Sequence, residues 1–426
     1  MMNTRISLLA LGILAAAGQA MADDQAASKG FVEDSHLDLF FRNAYMNRDY
    51  MNGKSDKAEW GQSATATFTS GFTQGTVGFG IDTFGLYALR LDGGKGKSGA
   101  AGIDFFKQGD SGEAADDLSR AGGAVKARFS NTVVKYGDQM PSLPVLSYDN
   151  SRLLPESYTG TLITSKEIDG LELNVGSFTE EARKSAEGRD SGGLKRIDVY
   201  GGSYKFTDNF SGSLYASDNK DVARKEYMNL NYVIPMQDKQ SLTFDFNGYK
   251  TKLNKDWAEQ NNNGNRDNTI WSLAATYTLG AHSFMLAHQR NTGDTGYLYG
   301  WYQNAGGLGD GGTTIWLANS YWSDFNGEDE RSWQANYAIN FGEYGVPGLS
   351  YTVAYVYGDN IKTSETSDGH EREIFNQLKY VVQDGAAKDL SVRLRGSWLR
   401  VSNDASEYNV SGNEVRVFVD YPFSVF

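Results

Sequence analysis

The segment SVRLRGSWLR, residues 391–400, sets Arg393 and Arg395 one residue apart between apolar neighbours. A guanidinium is a planar fork of donors that holds a carboxylate through two parallel hydrogen bonds, so two of them on one side of a chain suit the recognition of anions. Comparable bases recur: Lys126 and Arg128 in GGAVKARFS, Lys379 in REIFNQLKYVV, Arg416 in NEVRVFVDYPFSVF and Arg42 in SHLDLFFRNAY. Catalysis has no equivalent support. The four histidines, His36, His282, His288 and His370, are scattered, with no Ser/His/acid arrangement or metal-ligand spacing around them. The acidic stretch DSGEAADD, residues 110–117, reads as a solvated loop. The sequence therefore implies no enzyme, no cofactor and no metal, and points to binding instead.

What positions these bases is a two-residue repeat. Successive side chains of a strand point to opposite faces, so Val392, Leu394 and Trp398 share one face and Arg393 and Arg395 the other. The same alternation runs through EYMNLNYVIP and SLTFDFNG, through TIWSLAATYTLG, and through RSWQANYAINF followed by LSYTVAYVYG. On one side stand Leu, Val, Ile and aromatics, and on the other Ser, Thr, Asn and Gln. Connections alternate too, from short ones such as Asp169-Gly170 to long polar ones such as KTKLNKDWAEQNNNGNRDN. Short inner turns, long outer loops and aromatics near strand ends are the pattern of an outer-membrane barrel, and at about 10 residues per strand the chain has room for roughly 16 to 20 strands. A soluble sandwich or propeller also alternates, but it would not need so polar an opposing face strand after strand.

In such a barrel an arginine facing lipid costs about 2–4 kcal/mol near the midplane, whereas two like charges about 7 Å apart in water repel by only roughly 0.6 kcal/mol. Arg393 and Arg395 therefore face a water-filled lumen. By the same parity Lys126, Arg128, Lys379, Arg416 and Arg42 face inward. Because the first and last strands pair to close the barrel, Arg42, Lys379, Arg393, Arg395 and Arg416 fall on one contiguous wall, a positive column able to guide anions.

The ends and the composition agree with export. Residues 1–22 carry Arg5, an apolar run from Ile6 to about Ala17 and the small-residue site Ala20-Met21-Ala22, the layout of a signal peptide that is too short to span a bilayer as a helix. Residues 23–426 read as one barrel domain. There are 49 Gly, 25 Tyr, 22 Phe and 8 Trp but no Cys, and the mean hydropathy is −0.49. An exported chain without disulfides needs another source of stability, and barrel closure, which satisfies every backbone polar group in lipid, supplies one. The net charge of −13 argues against nucleic acid as a partner, although it leaves room for a local basic lining.

Three of the six prolines, Pro141, Pro144 and Pro155, fall in YGDQMPSLPVLSYDNSRLLPESYTG, residues 136–160. Proline disrupts central strands, and Leu143, Val145, Leu146, Leu153 and Leu154 are too apolar for an outer loop. This segment is expected to fold into the barrel and carry Asp149 and Arg152 to a constriction. Together with NSYWSDFNGEDERSWQANY, YGVPGLSYTVAYVYG and the ending VDYPFSVF, it resembles the OprD family of substrate-specific outer-membrane channels of pseudomonads, over essentially the whole chain after residue 22. The resemblance implies a barrel of about 18 strands with a basic ladder, an inward loop and a narrow eyelet for carboxylate-bearing solutes. It implies that Arg152 is the eyelet arginine, that Ser320 and Asp324 line the opposite side, and that Trp322 stands where some members have tyrosine. The spacing there favours the branch taking aromatic and other monocarboxylates over the one taking basic amino acids or peptides. Expected partners are small carboxylates and the lipid and lipopolysaccharide of the outer membrane, with the chain a monomer or weak homotrimer. A nonselective diffusion porin and an adhesin or receptor barrel stay as alternatives.

Overall fold

The computed structural model describes residues 24–98, 103–189, 194–299 and 315–426; the expected signal peptide, residues 1–22, lies outside them. Eighteen antiparallel strands, running from His36–Tyr50 to Gly412–Ser424, form one sheet. The first and last strands pair over thirteen residues, with Arg42 opposite Asp420, and close it into a barrel. Closure leaves no free sheet edge, as a bilayer requires.

Which way each strand faces follows its alternation. Val392, Leu394, Trp398 and Val415 are exposed on the outer surface, while Gln289, Asn291 and Ser332 are fully buried inside. The pattern of a soluble core is thus inverted, with apolar side chains towards lipid and polar ones towards the lumen. At one end the strands join through tight turns. Asp169-Gly170 is one, and Gly170 takes the left-handed φ of +73° that such a turn favours for glycine.

Long connections lie at the opposite end, and several fold inward. The segment 140–156, between strands Thr132–Gln139 and Ser157–Ile168, contains a small hairpin, Ser142–Leu143 paired with Leu146–Ser147. Its bounds are narrower than the expected 136–160, because Tyr136–Gln139 and Ser157–Gly160 continue the barrel strands on either side. Leu143, Val145, Leu146, Leu153 and Leu154 are all buried, each stabilising the inward position by about 1.5–3 kcal/mol. Leu153 and Leu154 pack with Ile103, Phe105 and Phe106 of a second inward segment, and Leu143 and Leu146 with Tyr249 and Ile270 of the wall. The narrowing is a composite of several segments, not the work of one loop.

Candidate functional site

Four adjacent strands build the basic wall: Gly369–Val381, Ser391–Val401, Gly412–Ser424 and His36–Tyr50. Register sets the neighbours, with Lys379 opposite Arg393 and Arg395 opposite Arg416. A cavity of about 690 Å³ opens against this wall, lined by Arg42, Arg48, Arg393, Arg395 and Arg416 from the strands and by Asp149, Arg152, Lys184, Ser320, Trp322 and Asp324 from the inward segments. Its lining carries seven cations and two carboxylates, so its field is positive although the whole chain is acidic.

The cations are not equivalent. Arg42 is committed to structure: its Nε donates to Asp420 Oδ1 at 2.7 Å, its Nη2 to Asp420 Oδ2 at 3.2 Å, and its Nη1 to the carbonyls of Asn150 at 2.9 Å and Arg152 at 2.6 Å. It clamps the inward segment to the seam of the barrel. Glu414, buried, accepts from Arg48 at 2.6 Å and Arg416 at 2.5 Å, neutralising part of that pair. Arg393 and Arg395 are less engaged. The ion pair of Arg393 with Asp420 is long, 3.9 Å, and Arg395 donates through Nε to Gln377 Oε1 at 2.6 Å with no ion pair among the described residues. Aromatic faces support both, Phe418 under Arg393 at 4.6 Å and Phe375 under Arg395 at 5.6 Å.

Both carboxylates of the lining are already satisfied. Asp149 Oδ2 accepts from Lys184 Nζ at 2.7 Å and Oδ1 from the Ser151 N–H at 2.6 Å. Burial pushes its carboxyl up, but Lys184 and then Arg152 outweigh burial and hold it well below the usual carboxylate range. Asp324 accepts from Ser320 Oγ and from the Tyr299 hydroxyl. Burial raises it above the usual range despite those two donors. An incoming ammonium group would have to displace one of these partners, whereas an incoming carboxylate meets Arg393 and Arg395 directly.

The 320–324 segment is held by acids that the alternation shows only as lumen-facing. Glu373 accepts the N–H groups of Trp322, at 3.1 Å, and Ser323, at 3.0 Å, and Glu371 accepts the Ser323 hydroxyl at 2.7 Å. Tyr321 stacks on Phe375 at 4.3 Å, and Trp322 lies under Arg48 at 5.5 Å. Trp322 also packs on Gly412, where a Cβ would fall 2.7 Å from the indole.

Three expected site residues stand apart from the cavity. Lys126 pairs with Asp82 at 2.7 Å and donates to the Ser70 carbonyl at 2.7 Å, while Arg128 donates to Gln25 Oε1 at 3.0 Å; both cover the Phe72 ring. Two strands separate them from the basic wall, and the 24–35 segment covers them, so they secure the turn end of the barrel instead of lining the cavity. Lys379 lies beside Arg393 but outside the lining. Conversely, Arg48, Lys184, Tyr148, Tyr321 and Phe418 line it without having been singled out. Arg48 was legible, because it shares strand parity with Arg42. Lys184 follows the end of strand Leu171–Ala182, where the alternation stops and gives no signal.

The model of the outer membrane porin, OprD family, matches residues 29–425. The chain belongs to the OprD family. It is 44% identical to Porin D of Pseudomonas aeruginosa over 98% of each chain. OccAB1 of Acinetobacter baumannii superimposes with a TM-score of 0.89 at 40% identity, covering 95% of this chain and 100% of that one. OpdK of Pseudomonas aeruginosa, solved with vanillate, gives 0.80 at 30% identity, covering 93% and 100%. As an OprD-family member the chain is a channel of the bacterial outer membrane for small solutes, not an enzyme. Its closed 18-stranded barrel is that of the family's solved structures.

Proposed function

We propose that this channel passes small carboxylates by passive, saturable diffusion, favouring aromatic and other monocarboxylates. The observation that carries the reading is the imbalance at the cavity: seven cations against two carboxylates, each already satisfied by a neighbouring donor. A solute carboxylate would leave water for Arg393 and Arg395, pass Arg416, and cross between Arg152 and the Ser320, Trp322 and Asp324 side. The half-buried Tyr148, Tyr321 and Trp322 offer apolar surface to an aromatic body. Binding must stay weak enough for release, since a pore conducts only what it lets go. The neighbouring OpdK, solved with vanillate, fits the same chemistry. Residues 1–22 are removed on export in this reading, leaving 23–426 as the barrel domain, a monomer or weak homotrimer in the lipid and lipopolysaccharide of the outer membrane.

A nonselective porin would share the barrel and the basic wall, so the test is discrimination among solutes of similar size. Liposomes containing the purified protein should swell faster in isosmotic sodium benzoate than in arginine hydrochloride or a neutral sugar, and the benzoate rate should saturate. Equal rates for all three solutes would reject the selective reading in favour of a general pore, and faster swelling in arginine would favour the basic-amino-acid branch.

A further inference from the structure

The inward segments carry the cavity's cations but cannot place them alone, because a chain folded inside a barrel has main-chain carbonyls with no sheet to satisfy them. Arg120 meets this need at one point. It lies on strand Asp117–Phe129, is 7% exposed, and does not line the cavity. Its Nη1 donates to the carbonyls of Arg183 at 2.6 Å and Ala186 at 3.0 Å, and its Nη2 to the carbonyl of Pro155. One guanidinium thus joins two separate inward segments, one after strand Leu171–Ala182 and one before strand Ser157–Ile168.

The bonded carbonyls flank cavity residues. Arg183 and Ala186 bracket Lys184, whose ammonium reaches Asp149, and Pro155 follows Arg152 by three residues. Asp104 ties in a third segment through Arg183 at 3.4 Å and the Ser185 hydroxyl at 2.7 Å. These contacts bind the inward segments to one another, and Arg120 binds them to the wall.

We propose that Arg120 is the positioning residue of the constriction: by fixing the Arg183–Ala186 turn and Pro155 together, it sets where Lys184 and Arg152 stand and so sets the bore and ion preference of the pore. The role suits arginine, because its donors are spread across a planar fork that spans carbonyls of two segments, whereas lysine concentrates its donors on one atom. The inference needs only a conducting pore and is independent of which solute the channel prefers.

The test is single-channel recording in potassium chloride, without any organic solute, on Arg120→Met protein that keeps the heat-modifiable gel mobility of a folded barrel. Unitary conductance and open-state current noise should rise, and the reversal potential in a salt gradient should move towards cations. The shift in reversal potential should shrink when Arg120→Met is made in a Lys184→Met background, because the two changes act through one group. Wild-type conductance and reversal potential in folded Arg120→Met protein would overturn the proposal, as would full additivity with Lys184→Met. Should Arg120→Met give no folded barrel, Arg120→Lys, which keeps the charge, decides the matter by the same readings: raised conductance supports the positioning role, and wild-type behaviour removes it.

Discussion

Arg42→Ala is expected to widen the channel, not simply to weaken its attraction for anions. Arg42 faces the lumen beside the other bases, yet its donors are occupied by Asp420 and by the carbonyls of Asn150 and Arg152. Both partners of the ion pair are largely buried, with side-chain exposures of 6% and 16%, and removing one partner of such a pair costs about 3–5 kcal/mol. Part of that loss falls on the inward segment, which would still hold its leucines in place but no longer be tied to the seam. Unitary conductance and open-state noise should therefore rise together, with a lower midpoint for thermal unfolding. Arg42→Lys should rescue little, since an ammonium cannot fork onto Asp420 and reach the loop carbonyls at once. Unchanged conductance with weaker carboxylate block would show instead that Arg42 acts as a solute ligand.

The opposite result is expected for the double substitution Arg393→Gln and Arg395→Gln. Among the described residues Arg393 makes the 3.9 Å ion pair to Asp420 and lies over Phe418, and Arg395 makes its hydrogen bond to Gln377 and lies over Phe375, so their removal leaves little unsatisfied. Barrel stability and unitary conductance should stay close to wild type. The affinity for a blocking carboxylate should fall steeply, because a hydrogen bond to a charged group contributes about 1.5–3 kcal/mol, which is roughly ten- to hundredfold in Kd for each arginine. The reversal potential in a salt gradient should also shift towards cations. Block by benzoate that persists at wild-type concentration in the double variant would place recognition elsewhere in the lumen.

The contrast between Arg42 and Arg393 also shows what a sequence of this kind reveals. Alternation assigned the faces, because a lumen of water and a surface of lipid make opposite demands on successive residues, and Val392, Leu394 and Trp398 duly lie on the outer surface. Adjacency followed from closure, which brings the strand of Arg42 beside that of Arg416. Parity cannot show what lies over an inward side chain. Lys126 and Arg128 have the same parity signal as Arg393, but the 24–35 segment and Phe72 cover them. The apolar residues of the 140–156 segment marked it as inward, since five of them would be unstable in water. The carbonyl partners of Arg42 and Arg120, the Glu371 and Glu373 hold on the 322–323 backbone, and the entry of Lys184 into the cavity depend on long-range pairing of irregular chain. Neither period nor composition encodes such pairing.

In the proposed function the cation-lined constriction recognises a carboxylate as such. The most direct test of that recognition is single-channel recording of the wild-type protein in a planar bilayer during titration with benzoate, with arginine and a neutral sugar as controls. Benzoate should produce brief current interruptions whose frequency rises and saturates with concentration, while the two controls leave the current undisturbed. Steady current indifferent to all three solutes, or interruptions by arginine alone, would rule out carboxylate recognition at the constriction.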